Sequence, residues 1–332
     1  IVSFTMYFKN YLIIDDVIVF AKSINLSPEA LEFIGNYKWV DASLLDSTGK
    51  LKEMITLLEQ EAFQLIAIIL GVAGVILLIF SYLTTNERIE PPKNQKSNLK
   101  EDFKNVFGLR PWVILFILGI ITFVLILLQG AVINQYFKYF VKSENDATIL
   151  YTSTTIALII GVLLARPLTK RFEKRSVYLV CSAISGVLTM ALYIPGPDDF
   201  YLLQITNVLS KLAIAPTIPL LWSMIADTAD FSEWKNKRRA TGLFFSATTF
   251  AQKLGGGIAT GLTGLILTMV NYDGEALEQP EDAILSIRLL FSIVPGFLYL
   301  VTAIILLWYK LDDKTIEKVK VELESRRNNN YN

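Results

Sequence analysis

The chain has 332 residues, 53% of them hydrophobic and 19% charged, and a mean hydropathy of +0.46. A soluble domain carries about 25% charged residues, so this composition belongs to an integral membrane protein. Lys+Arg and Asp+Glu both total 31, a balance that excludes electrostatic capture of nucleic acid. With no histidine, and Cys181 as the lone cysteine, the chain lacks the means for Ser-His-Asp catalysis, His- or Cys-ligated metals and disulfides.

In chain order, the segment from Ile1 to Phe20 is apolar but interrupted by Lys9, Asp15 and Asp16, and is not counted as a span. It reads as the end of a preceding membrane helix that leads into an external segment. There Ser27-Pro28-Glu29 has the N-cap, the N1 proline and the first-turn acid of a helix start. The chain opens on Ile1 without the charged and apolar regions of a secretory leader, and an N-terminal truncation is expected.

A bilayer core needs ~20 mostly apolar residues per helix, and seven stretches meet that length: Ala62 to Leu83, Pro111 to Tyr136, Thr148 to Pro167, Val177 to Ile194, Phe200 to Ala226, Gly242 to Val270 and Ile284 to Trp308. Apolar residues run continuously in all seven instead of alternating, so the spans are helices. Basic residues alternate from loop to loop. Arg88, Lys93, Lys96, Lys100, Lys104 and Arg110 follow the first span; Lys170, Arg171, Lys174 and Arg175 follow the third; Lys235, Lys237, Arg238 and Arg239 follow the fifth. The positive-inside rule puts these loops and the basic tail after Trp308 in the cytoplasm.

The polar linker from Thr84 to Arg110 separates one span from a set of six. Major-facilitator transporters join two six-helix halves by such a linker and bind substrate between them. The expected fold is therefore an all-α membrane protein holding the C-terminal six-helix half plus one preceding helix, with the N-terminal helices missing. On this plan residues 1–61 are the end of a preceding helix and an external segment, 62–83 the last helix of the first half, 84–110 the linker, 111–309 the second half and 310–332 a cytoplasmic tail. The turn from Gly161 to Arg171 resembles the loop signature of that superfamily, although small residues before a basic anchor also suit simple helix packing.

Lys211 and Lys253 each fall near the middle of a span, where a lysine costs ~2.5–3.5 kcal/mol. No Asp or Glu lies inside any span. Their partners are expected from a missing part of the protein, a second chain or a ligand. Gly242, Ser246, Thr249, Lys253, Gly256 and Thr260 share one small, polar helix face, expected to line a cavity around Lys253, while Gly256, Gly257, Gly261 and Gly264 are expected to serve close packing. Lys211 shares a face with Gln204 and Asn207, for which cavity lining and helix–helix bonding both stand. Pro216 and Pro219 are expected to kink that helix and release carbonyls.

The segment Trp222-Ser223-Met224-Ile225-Ala226-Asp227-Thr228-Ala229-Asp230-Phe231-Ser232-Glu233-Trp234-Lys235, continuing to Arg238-Arg239-Ala240-Thr241-Gly242, resembles the characteristic cytoplasmic loop of the glycoside-pentoside-hexuronide:cation symporters, the melibiose-carrier family. The resemblance extends from Ala62 onward. It implies cation-coupled symport of a sugar, glycoside or hexuronide by alternating access, in an inner membrane, with no enzymatic activity and no cofactor beyond a coupling Na+ or H+. It likens Lys253 and Thr249 to the family's membrane lysine and its neighbour, and Asp227, Asp230, Glu233, Arg238 and Arg239 to its charged gate. The family's cation-binding acids lie in helices that this chain lacks, so the partners expected are the lipid bilayer, a small sugar and the missing half. A different major-facilitator carrier, a dimerising half-transporter and, further off, a membrane-embedded enzyme are the alternatives.

Overall fold

The computed structural model describes residues 50–85, 99–274, 276 and 278–331. The expected helix start at Ser27 and the linker residues Arg88, Lys93 and Lys96 lie outside them. The chain divides into two units, residues 1–90 and 91–332. Within the first, α1 (Lys50–Thr84) holds an apolar stretch, Ile66–Thr84, long enough to cross a membrane.

The described residues of the second unit form helices joined by turns and loops, with no strand among them. Part of the expected linker is a short helix, α2 (Leu99–Phe107), with Glu101 and Asp102 in its first turn, where acids complement the helix dipole. After it come α3 (Arg110–Gln135), which runs into a π-helical turn at Tyr136–Val141, α4 (Glu144–Thr169) and α5 (Lys174–Ala191). Two broken spans follow the same rule. α6 (Phe200–Ile214) and α7 (Thr217–Asn236) are interrupted at Pro216, as expected from a residue with no N–H to donate. α9 (Glu281–Phe291) and α10 (Ile293–Leu306) part at Ser292, three residues before Pro295. α8 (Thr241–Met269) lies between these broken pairs in sequence.

Five stretches among the described residues are long and apolar enough to cross a membrane, where the sequence reading counts seven. The two that fall short are α5 and α8. α5 opens on Lys174 and Arg175 and buries Ser182, Ser185 and Thr189; α8 carries Lys253 amid glycines and threonines. Ser185 and Thr189 of α5 bond across to Ser210 of α6, while Lys253 of α8 is exposed. α5 packs along α10 and α6, and α8 lies along α3. The α3–α8 approach depends on Gly255, where an added Cβ would stand 2.5 Å from the Ile120 carbonyl oxygen. Small residues at such crossings let backbones meet where lipid offers no hydrophobic drive.

Two buried clusters lie toward opposite ends of the spans. At the end with the basic loops, Trp112 meets Phe244 edge-on at 4.8 Å, with Tyr178, Met224 and Tyr309 around them. At the other end Tyr136 stacks on Phe291 at 4.4 Å beside Leu192, Leu203 and Ile287.

The residues after 310 are more than a tail. The Asp312 side chain accepts the Thr315 N–H at 3.1 Å, an N-cap that starts α11 (Asp313–Tyr331). That helix packs on α7 with Ile316, Val319 and Leu323 buried.

Candidate functional site

Between the two clusters lies a cavity of about 270 Å³, lined mainly by apolar side chains of α3, α4, α5, α6, α7 and α10. Its amine and amide groups come from α3 and α6, and hydroxyls from α3, α4, α5, α7 and α10. Lys211 stands in the last turn of α6, and Gln129 is buried in the C-terminal half of α3. The Lys211 ammonium donates to Gln129 Oε1. The amide faces this way for a local reason. Pro295 has no N–H, so the carbonyl four residues earlier, that of Phe291, is left without its helical donor; Gln129 Nε2 donates to it at 3.0 Å. With its N–H₂ turned to the broken helix, Gln129 presents its oxygen to Lys211.

The expected lack of an in-chain partner for Lys211 is thus corrected. A buried ammonium needs an acceptor, and a neutral amide oxygen serves without a second buried charge. Gln129 escaped the sequence reading because that reading searched the spans for Asp and Glu alone. The usable signal was a lone glutamine at mid-span together with a proline that frees a carbonyl.

The polar face of α6 divides between both open readings. Asn207 lines the cavity and donates to Thr154 Oγ1 at 2.7 Å. Gln204 lies outside the lining and donates to Ser153 Oγ at 2.7 Å, a helix–helix bond. One turn further, Ser210 bonds Ser185 at 3.1 Å and Thr189 at 2.6 Å. Ser182 also lines the cavity, is fully buried, and its hydroxyl has no hydrogen-bond partner among the described residues.

Lys253, Thr249 and Ser246 are exposed on α8 and do not line this cavity. The Thr249 hydroxyl bonds back to the Phe245 carbonyl at 3.0 Å. Gly256 is buried with its position against Leu127, in the packing role expected of it. The packing role expected for Gly257, Gly261 and Gly264 does not appear, since a Cβ at any of them would meet nothing within 4 Å. Gly255, for which no role was expected, packs beside Gly256, because both face α3.

The charged cluster at the basic end is helical. Asp227, Asp230 and Glu233 lie on α7, whose last turns replace the expected loop; Lys237 ends the helix at φ 55°. Asp227 is buried and uses both carboxylate oxygens: Oδ2 takes the Lys174 ammonium of α5, and Oδ1 takes that of Lys320 of α11 at 2.7 Å. Partial burial opposes charge on Lys320, but the Asp227 carboxylate, with Asp230 and Asp313 near, holds its pKa above the ordinary 10.5. Arg238 reaches α2, with its Nε 3.0 Å from Asp102 Oδ1 and Nη1 3.7 Å from Glu101. Asp230, Glu233 and Arg239 are partly buried and engaged as well. α11 is further held by Trp234 Nε1 donating to Glu322 at 2.7 Å and Arg326 donating to the Trp234 carbonyl at 3.1 Å. Arg326 Nη2 also donates to Glu322 Oε1 at 2.5 Å, and the bonds from Trp234 and Arg326 hold the pKa of Glu322 below 4.5. Among the described residues no group of three His, Cys, Asp or Glu is placed to hold a metal.

Many membrane carriers hold a solute in a cavity among broken helices, and this cavity presents a half-buried amine and two buried amides. The profile of the MFS/sugar transport protein family matches residues 33–313. The chain belongs to that family. Its relatives include the inner membrane symporter YicJ of Escherichia coli strain K12, 29% identical over 260 residues (77% of this chain and 55% of YicJ). The isoprimeverose transporter of Lactiplantibacillus pentosus is 28% identical over 270 residues (79% and 54%). An uncharacterized 29.9 kDa protein of Pseudescherichia vulneris is 34% identical over 188 residues (56% and 69%). The chain spans a little over half the length of the symporter and the transporter. Membership agrees with the resemblance to the glycoside-pentoside-hexuronide:cation symporters, identifies a multi-pass membrane protein, and is membership of a family of transporters, not of enzymes.

Proposed function

We propose that this chain forms the substrate-binding second half of a secondary active transporter that moves a sugar, glycoside or hexuronide with Na+ or H+ by alternating access. The observation that carries the reading is the mid-bundle cavity, in which Lys211, Gln129 and Asn207 offer hydrogen bonds within an apolar and aromatic wall. Sugars need that combination, since hydroxyls demand partners while ring faces stack on aromatic groups. Tyr151, Tyr178 and Tyr299 supply such faces.

The remaining helices of the whole transporter close the cavity and provide the coupling-ion site. The exposed α8 face with Ser246, Thr249 and Lys253 turns toward them, which gives a mid-span lysine a reason to exist. The Asp227 cluster is the gate: carboxylates and amines from α5, α7 and α11 pair in one state of the cycle and part in the other. The basic loops and the C-terminus lie in the cytoplasm of a cell with this protein in its inner membrane.

The test is uptake of labelled glycosides by cells expressing the reading frame that contains this chain, under an imposed Na+ or H+ gradient. Accumulation that collapses when the gradient is dissipated supports the proposal. Equilibration without accumulation removes cation coupling, and no saturable uptake of any sugar removes the transporter reading.

A further inference from the structure

Resting on that reading, we infer that the cavity selects a sugar carrying one anionic oxygen group, a carboxylate or a sulfonate, with Lys211 as the residue that recognises the charge. The lining holds a single cation and no Asp or Glu. An ammonium has three N–H donors, and the hydrogen bond Lys211 makes among the described residues, to Gln129, takes one of them. Gln129 brings no charge of its own, and its amide nitrogen donates to the Phe291 carbonyl, so the positive charge at the cavity wall is not neutralised. The buried Ser182 hydroxyl lines the same space with no hydrogen-bond partner among the described residues. Asn207 gives one amide N–H to Thr154 and is neutral. A neutral hydroxyl could satisfy one such donor, but it would leave a charge in an apolar wall uncompensated. An anionic oxygen satisfies the donors and neutralises the charge together, and a charge-assisted hydrogen bond is about twice as strong as a neutral one.

The test uses purified protein expressed from the full reading frame. Equilibrium dialysis compares methyl β-glucuronide, methyl β-glucoside and the glucoside analogue with a sulfonate at C6. These share a ring and differ at that carbon. The wild-type protein should bind at least one of the two anions about tenfold or more tightly than the glucoside, the factor expected of one hydrogen bond to a charged group. Which anion is tighter separates the carboxylate from the sulfonate. In Lys211→Met the ratio of anion to neutral affinity should fall to within about twofold of one, while Lys211→Arg should keep much of it. Gln129→Glu retains side-chain size and an acceptor for the amine but cancels its charge, so it should erase the ratio even where Lys211→Met fails to fold.

Equal wild-type affinities, or a ratio unmoved by both Lys211→Met and Gln129→Glu, overturn this inference and leave the sugar-transporter reading standing. Binding of none of the three overturns the inference through the reading on which it rests.

Discussion

Replacing Gln129 with leucine should be among the most damaging single changes in the membrane interior, because it strands two groups. The Phe291 carbonyl loses its donor at 3.0 Å and the Lys211 ammonium loses an acceptor, while the shape of the side chain is nearly kept. Interhelical hydrogen bonds inside membranes average ~0.6 kcal/mol with a maximum near ~1.7, which covers the Phe291 contact. A hydrogen bond to a charged group is worth ~1.5–3 kcal/mol, which covers Lys211. Together they predict a loss of about 2–4 kcal/mol for Gln129→Leu. Gln129→Glu should lose only the smaller part, since its carboxylate still accepts from Lys211 but donates nothing to Phe291. The assay is unfolding in detergent followed by intrinsic fluorescence and by size-exclusion profile after heating, with wild type and both variants in parallel. The reasoning fails if Gln129→Leu is as stable as wild type, or if Gln129→Glu is the weaker of the two.

Three other outcomes are expected. Gly255→Ala should destabilise by ~1–3 kcal/mol, because its Cβ meets the Ile120 backbone at 2.5 Å, whereas Gly257→Ala on the same helix meets open space and should be neutral or stabilising; thermal unfolding of the pair checks this. Lys253→Ala should change stability by less than ~0.5 kcal/mol, as an exposed residue does, yet abolish gradient-driven uptake; normal accumulation in both Lys253→Ala and Lys253→Arg would remove its transport role. Docking of α11 should be confined to a pH window: the raised pKa of Lys320 stabilises it fully below 10.5 and is lost as pH climbs through the folded value, while the lowered pKa of Glu322 stabilises it above 4.5 and is lost as pH falls through its folded value. Trp234 fluorescence, taken as the difference from Trp234→Phe, should therefore be flat between these limits and change beyond each, and a change centred near neutrality would contradict it.

Much of the architecture was legible before any coordinates. Continuous apolar runs must be helices in lipid, since every backbone group needs a partner within its own segment, and this is why α1, α3, α4 and the α6–α7 and α9–α10 pairs fall where hydropathy puts them. The break at Pro216 was equally plain, because the missing N–H is a property of the residue. The helical period also shows that Asn207 and Lys211 share a face, as do Ser246, Thr249 and Lys253. What the period cannot say is which neighbour a face meets. α3 is apolar on nearly every side, so nothing local turns Gln129 toward Lys211, 82 residues away. Asp227 shares its helix with Lys235, yet its partners are Lys174 and Lys320, 53 and 93 residues away. Gly255 and Gly257 are alike in sequence and differ only because α3 passes on one side of α8. Composition and period act within a helix and are settled by the chain itself; the pairing of faces across helices depends on shape and hydrogen bonding between distant segments, and that is decided only when the bundle packs.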